Sequence, residues 1–238
     1  MTPNTSASAS LRALSWFALF TGLGVVAWVA SGFVGTSAFA LGMTLLIGFV
    51  FRGGAWELRR FGQTTSALNA AIGSVPQPLD QLADWLPRVP APLQTAVRQR
   101  VEGERGAFPG PALTPYLIGL LVMLGMLGTF LGMVVTFKGA VFALEGSADL
   151  TAIRAALVAP IKGLGLSFGT SVAGVATSAM LGLMATLARR ERSQALRALD
   201  ALSSTTLRPF SAAHQRQQSF DALQRQADAM PVAAQHLQ

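Results

Sequence analysis

The chain has 238 residues, 51% of them hydrophobic and 12% charged, with a formal net charge of +7. A soluble domain carries about 25% charged residues, so an ordinary soluble fold is disfavoured. The arginines flank apolar blocks, which reads as topogenic charge rather than a nucleic-acid surface. With no cysteine, disulfides and thiolate metal sites are excluded, and the only histidines, His214 and His236, lie in the polar tail.

No His, Asp and Glu cluster has metal-ligand spacing, and neither a P-loop nor a dinucleotide fingerprint occurs. The expectation is therefore a protein that is not an enzyme and holds no cofactor.

The first apolar block covers residues 11–30, and a short uncharged link, 31–37, follows. The second block covers 39–51, with a start as early as Phe33 also compatible. A secretory signal peptide competes for the first block, because Ala38-Phe39-Ala40 resembles a small-residue cleavage site. The length of the block and the span that follows it favour an uncleaved hairpin.

After Phe51 the chain turns polar. Residues 52–113 hold seven arginines and five acids, with prolines at 76, 78, 87, 90 and 92. Such a segment cannot form one helix. Short amphipathic helices are expected over 58–72 and 93–104, with a proline-rich elbow between them.

The third block, 116–137, and the fourth, 163–188, are each long enough to cross a bilayer, which takes about 20 apolar residues. Between them lies a short segment with Glu145, Asp149 and Arg154, where Ser147 or Asp149 would cap a small helix over 150–158. The lysines of the chain, Lys138 and Lys162, sit at the ends of these two spans and are placed to snorkel to the interface. A basic cluster, Arg189, Arg190, Arg192 and Arg197, follows the fourth span. The tail is helical in character to Leu202, is interrupted at Pro209, and resumes as an amphipathic stretch over 212–230.

The fold class expected is an all-α membrane protein with four transmembrane helices and amphipathic cytoplasmic helices. Its segments are an N-terminal transmembrane hairpin (1–51), a cytoplasmic helical loop (52–114), a two-helix channel core (115–188) and a cytoplasmic helical tail (189–238). In a four-span arrangement Arg12, the 52–105 region and the 189–197 cluster all fall on one side, which the positive-inside rule makes cytoplasmic. A three-span arrangement spoils that asymmetry.

The polar content of the last two spans is distinctive. Residues three and four apart share a helix face. In the fourth span Gly163, Ser167, Ser171, Gly174, Ser178 and Gly182 form one stripe, and Thr170, Gly174 and Thr177 form an overlapping one. In the third span Gly125, Gly128 and Gly132 form a close-approach face, with Thr129 and Thr136 seven residues apart. Pure packing would use small residues in this way. However, hydroxyls at mid-membrane depth are costly unless partnered, and two consecutive spans carry them. Neither span contains a carboxylate. Proton relays use Asp, Glu or His, so a proton path here needs a titrating group from a partner.

The stretch LGMLGTFLGMVVTF at 124–137 resembles the LGLLGTVxGM motif of the MotA/TolQ/ExbB family of proton-channel subunits. FGTSVAGVATSAM at 168–180 is similar to that family's second motif, a Thr-Thr or Thr-Ser pair followed three residues later by glycine. The resemblance covers about residues 112–190, and the four-span topology is closer to MotA than to three-span TolQ and ExbB. The basic hydrophobic style is also similar to ZorA, the membrane subunit of the Zorya antiphage system.

The resemblance implies a homopentamer in the bacterial inner membrane around two copies of a MotB/TolR/ExbD-like partner. That partner has one span and an essential aspartate, and the transported ion is H⁺ or Na⁺. It implies that Thr129 and Thr170, with Ser171 and Thr177, line the ion path. Ser171 stands in for the second threonine of the pair, and Gly174 matches the family glycine. Gly125, Gly128, Gly132 and Gly174 are the helix-packing positions, and around Gly128, Gly132 and Gly174 identical subunits are expected to meet. The glutamate that ExbB-like proteins carry in the last span is absent here. Two other function classes remain, a structural scaffold that only packs helices and a small transporter. No discontinuous-helix pattern or intramembrane charge favours the transporter.

The arginine asymmetry makes a testable prediction. Reporter fusions after Ala91 and after Gln238 read cytoplasmic, and one near Gly146 reads external. An external reading for the Gln238 fusion contradicts the four-span arrangement.

Overall fold

The computed structural model describes residues 5–76, 79, 81–104, 106–145 and 150–235; within these, side chains are described for 10–76, 79, 81–104, 106–138, 141 and 168–226. The described chain is helical, with five long helices and short connecting ones: α1 (Thr5–Phe33), α2 (Ala38–Gly73), α3 (Leu82–Trp85), α4 (Ala91–Glu102), α5 (Thr114–Glu145), α6 (Leu150–Ser204) and α7 (Ala212–Gln235). Single 3₁₀ turns occupy Leu86–Arg88 and Arg208–Phe210. Four of the helices, α1, α2, α5 and α6, are long and apolar enough to cross a membrane, as in a multi-pass membrane protein.

Two helices join segments expected to be separate. The second apolar block and the amphipathic helix after it form one helix, α2, which passes through Arg52-Gly53-Gly54 without a turn. The helix expected over 150–158, the fourth span and the start of the tail likewise form one 55-residue helix, α6. Pro160 lies inside it; membrane helices tolerate an internal proline because neighbouring groups can satisfy the freed carbonyl. Ser147 and Asp149, proposed as caps, lie outside the described residues, as do the side chains of Arg154, Lys162 and Ser167.

The chain divides into two compact units, one of residues 1–61 with 111–190 and one of 62–110 with 191–238. The core of the first unit includes Ala18, Phe33, Ile47, Phe51, Leu121, Ala173 and Leu181. Glycines admit the large side chains. A Cβ added to Gly22 would fall 2.5 Å from Phe51 Cζ, one on Gly48 2.9 Å from Val26 Cγ1, and one on Gly169 2.7 Å from Phe33 Cζ. These contacts join α1 to α2 and α1 to α6.

The start of α5 is fixed from α2. The Glu57 carboxylate accepts the Thr114 hydroxyl at 2.6 Å and the Leu113 backbone N–H at 3.0 Å. Unsatisfied amides and the positive end of the dipole make a helix N-terminus a good place for a carboxylate. Pro115, in the first turn of the helix, lacks an N–H that would find no partner there.

The second unit has its own core, built on Leu68, Trp85, Val89, Leu93, Val97, Leu199 and Leu207. The indole N–H of Trp85 donates to the Ala71 carbonyl at 2.8 Å, which pins the elbow to the end of α2. Arg100 holds Asp200 through two parallel hydrogen bonds of 2.7 and 2.9 Å. Helix α4 ends at Gly103, whose φ of +89° is the left-handed conformation that glycine adopts without strain.

In the α5–α6 pair, Gly125, Gly128 and Gly174 pack inside the chain. A Cβ on Gly174 would lie 2.6 Å from the Leu121 carbonyl oxygen and 2.7 Å from Gly125 Cα. Those are backbone atoms, which cannot swing aside. Gly174→Ala therefore lowers stability in detergent by roughly 1–3 kcal/mol, the usual range for overpacking. Gly119→Ala, on the same pair but with open space at its Cβ position, is neutral or stabilising by up to about 1 kcal/mol through helix propensity. Thermal unfolding of the two variants checks the contrast, and equal effects would contradict the seam.

Candidate functional site

The seam between α5 and α6 carries hydroxyls from both apolar spans. Small side chains make it possible. Gly125 faces α6 so closely that an added Cβ would meet Gly174 Cα at 3.1 Å, the Thr170 carbonyl oxygen at 3.2 Å and Ser171 Cα at 3.3 Å. One turn along, Gly128 leaves room for a side chain: its Cβ position is 2.9 Å from Thr170 Oγ1 and 3.0 Å from Thr170 Cβ.

The hydroxyls fall into two groups. Thr170, Thr177 and Ser178 are buried, at 1%, 0% and 7% exposure. Thr177 donates to its own helix, at 2.7 Å from the Ala173 carbonyl and 3.1 Å from that of Gly174. Ser178 crosses the seam, donating to the Ile118 carbonyl of α5 at 3.0 Å. Such an interhelical bond contributes about 0.6 kcal/mol in a membrane protein. Thr129 and Ser171 form the second group; both are half-buried and keep some surface. Thr129 donates to the Gly125 carbonyl at 3.0 Å, and Ser171 lies against Gly125 from the α6 side. The two residues therefore bracket Gly125. Gly132 is half-buried further along α5, where its carbonyl accepts the Thr136 hydroxyl at 2.8 Å.

Chemically, a hydroxyl that has donated its proton to a carbonyl keeps two lone pairs. It can then solvate a cation or order water, because oxygen ligands suit hard cations. It does not titrate near neutral pH. No carboxylate occurs within residues 10–51, 115–138 or 163–188. Among the described residues, no group of three His, Asp or Glu side chains could hold a metal.

Sequence reasoning missed two polar contacts. Glu57 reads as one acid in a charged loop, and its partners Leu113 and Thr114 lie 56 and 57 residues away. The Thr-Pro pair at 114–115 was a visible helix-start signal, but it does not name the acid that meets it. Arg192 reads as topogenic charge, yet it is only 6% exposed, with its Nη2 donating to Thr64 Oγ1 at 3.2 Å.

Compared with protein-family models, with curated proteins and with solved structures, the chain gives no match.

Proposed function

We propose that this chain is the ion-conducting subunit of a rotary motor in the bacterial inner membrane, passing H⁺ or Na⁺ with an aspartate-bearing partner. One observation carries the reading. Thr129 and Ser171 bracket Gly125 within two apolar helices and keep exposed surface, while the spans hold no carboxylate or histidine of their own. A hydroxyl that has donated to its own helix and keeps exposed surface still has lone pairs for water, an ion or a partner.

In this reading a single-span partner brings its carboxylate to the outer side of the seam. Thr129 and Ser171 solvate the ion as the carboxylate binds and releases it. Thr170, packed against Gly128, and Ser178, bonded to the Ile118 carbonyl, hold the two helices in register. The motif resemblance to MotA/TolQ/ExbB subunits supports a homopentamer around two partner copies, with both termini cytoplasmic. Met123, Met126, Leu127 and Phe130 are exposed on α5, and lipid or a neighbouring subunit would cover them. The work performed, including ZorA-like antiphage defence, depends on the partner and not on this seam.

A structural scaffold is the second reading. The Ser178–Ile118 bond and the Gly125–Gly174 approach favour it, because both are packing devices.

Copurification from the native host followed by reconstitution separates the two readings. The motor reading expects a single-span protein with a mid-membrane aspartate to copurify, and expects ion flux to require it. Thr129→Val keeps the side-chain shape and removes the hydroxyl. It should lower partner-dependent flux by at least about tenfold, the scale of one lost polar contact, while Thr129→Ser retains most of it. Wild-type flux in Thr129→Val, or no such partner, favours the scaffold.

A further inference from the structure

The contact of α1 with α2 is close at Gly22–Phe51 and Gly48–Val26. Beside that contact a cavity of about 400 Å³ opens between the two helices. That volume is within the range of small-molecule sites, about 300–1,000 Å³. Its lining is mixed in chemistry. Leu19, Leu23 and Phe49 are apolar, and Arg52 and Arg59 are cationic, with Trp56 between them in sequence. Gly53 lines the cavity and has open space where a side chain would project.

The positions along α2 match the depth profile of a bilayer edge. Phe49 lies in the apolar block, and Arg52, Trp56 and Arg59 follow at helical spacing on one face. Arg52 and Arg59 are separated by about 10 Å along the helix. Tryptophan is enriched at headgroup level, and arginine there keeps its stem in the apolar layer. Arg59 lies 4.3 Å from the centroid of the Trp16 ring, which in turn stacks on Phe20 at 5.6 Å. This fixes the guanidinium at the rim of the groove. The positive charge is not neutralised locally. Among the described residues neither Arg52 nor Arg59 is in a salt bridge, and the acid nearest in sequence, Glu57, is engaged with Leu113 and Thr114.

We propose that the α1–α2 groove binds one anionic phospholipid, with its phosphate between Arg52 and Arg59 and an acyl chain against Leu19, Leu23 and Phe49. An apolar trough carrying two uncompensated cations fits an amphiphilic anion. A free phosphate would use only the arginines, and a zwitterionic lipid would bring its own cation to them. The site depends on the membrane location of the chain and is independent of whether the seam conducts ions.

The test is native mass spectrometry of the delipidated protein, titrated with phosphatidylglycerol, phosphatidylcholine or glycerol 3-phosphate. Phosphatidylglycerol should bind at least about tenfold more tightly than phosphatidylcholine, as expected for arginines at an anionic surface. Glycerol 3-phosphate should not displace it. Arg52→Ala/Arg59→Ala should remove the preference, whereas Arg189→Ala/Arg190→Ala should keep it. Gly53→Leu, which enters open space and leaves the charges intact, should weaken phosphatidylglycerol binding by filling the groove. Equal binding of the two lipids, or displacement by glycerol 3-phosphate, overturns the proposal. So does unchanged binding in Gly53→Leu, which would leave only diffuse surface attraction.

Discussion

The approach of Gly125 to Gly174 is the contact on which the rest of the membrane-spanning unit depends. Within a bilayer, lipid tails are as apolar as leucine, so burial of apolar surface gives helices little reason to associate. Close backbone packing must supply the attraction instead. A Cβ on Gly174 would meet backbone atoms of α5 at 2.6 and 2.7 Å, so any other residue there forces the helices apart. That separation would also break the Ser178–Ile118 hydrogen bond and move Thr170 off Gly128. Glu57 acts at one end of the same pair, fixing where α5 begins. The seam is thus a chain of mutually dependent contacts, in which small residues set the distance and hydroxyls set the register.

The polar chemistry of the spans follows from that geometry. Where two backbones touch, hydroxyls either turn inward and satisfy carbonyls or stay at the edge of the seam. Thr177 and Ser178 do the first, while Ser171 and Thr129, which also donates to the Gly125 carbonyl, keep some surface. This division gives different residues of one motif different exposure. It also explains why hydroxyl content alone does not identify a path. The cationic chemistry lies elsewhere, at the edge of the apolar layer, where arginines meet aromatic rings and an apolar groove.

Much of the fold was legible because bilayer thickness imposes length and composition. The four apolar helices could be read from runs of apolar residues, and the elbow after α2 from its prolines. The joins were less legible. Arg52-Gly53-Gly54 looks like a turn, yet the helix continues because each residue still donates to the preceding turn, and Gly54 is needed opposite Leu181. The small helix expected over 150–158, the fourth span and the helical start of the tail look like separate segments, yet α6 joins them from Leu150 to Ser204. The stripes of Gly125 and Gly174 were visible at helical spacing, but spacing gives a face and not the identity of what meets it. The pairing of Glu57 with Thr114 and of Arg192 with Thr64 is set by tertiary structure, so no local pattern could carry it.

The central claim is that the small-residue faces of α5 and α6 meet within one chain, leaving Thr129 and Ser171 at the edge of the seam. Disulfide trapping tests it directly, since the chain has no cysteine of its own. The Cβ position of Gly128 lies 3.0 Å from Thr170 Cβ, close to the separation of about 3.8 Å that a disulfide spans. Gly128→Cys/Thr170→Cys, oxidised in native membranes, should give an intramolecular bond in a species that runs as a single chain under denaturing, non-reducing conditions. Disulfide-linked dimers and higher ladders, or two free thiols after oxidation, would contradict it.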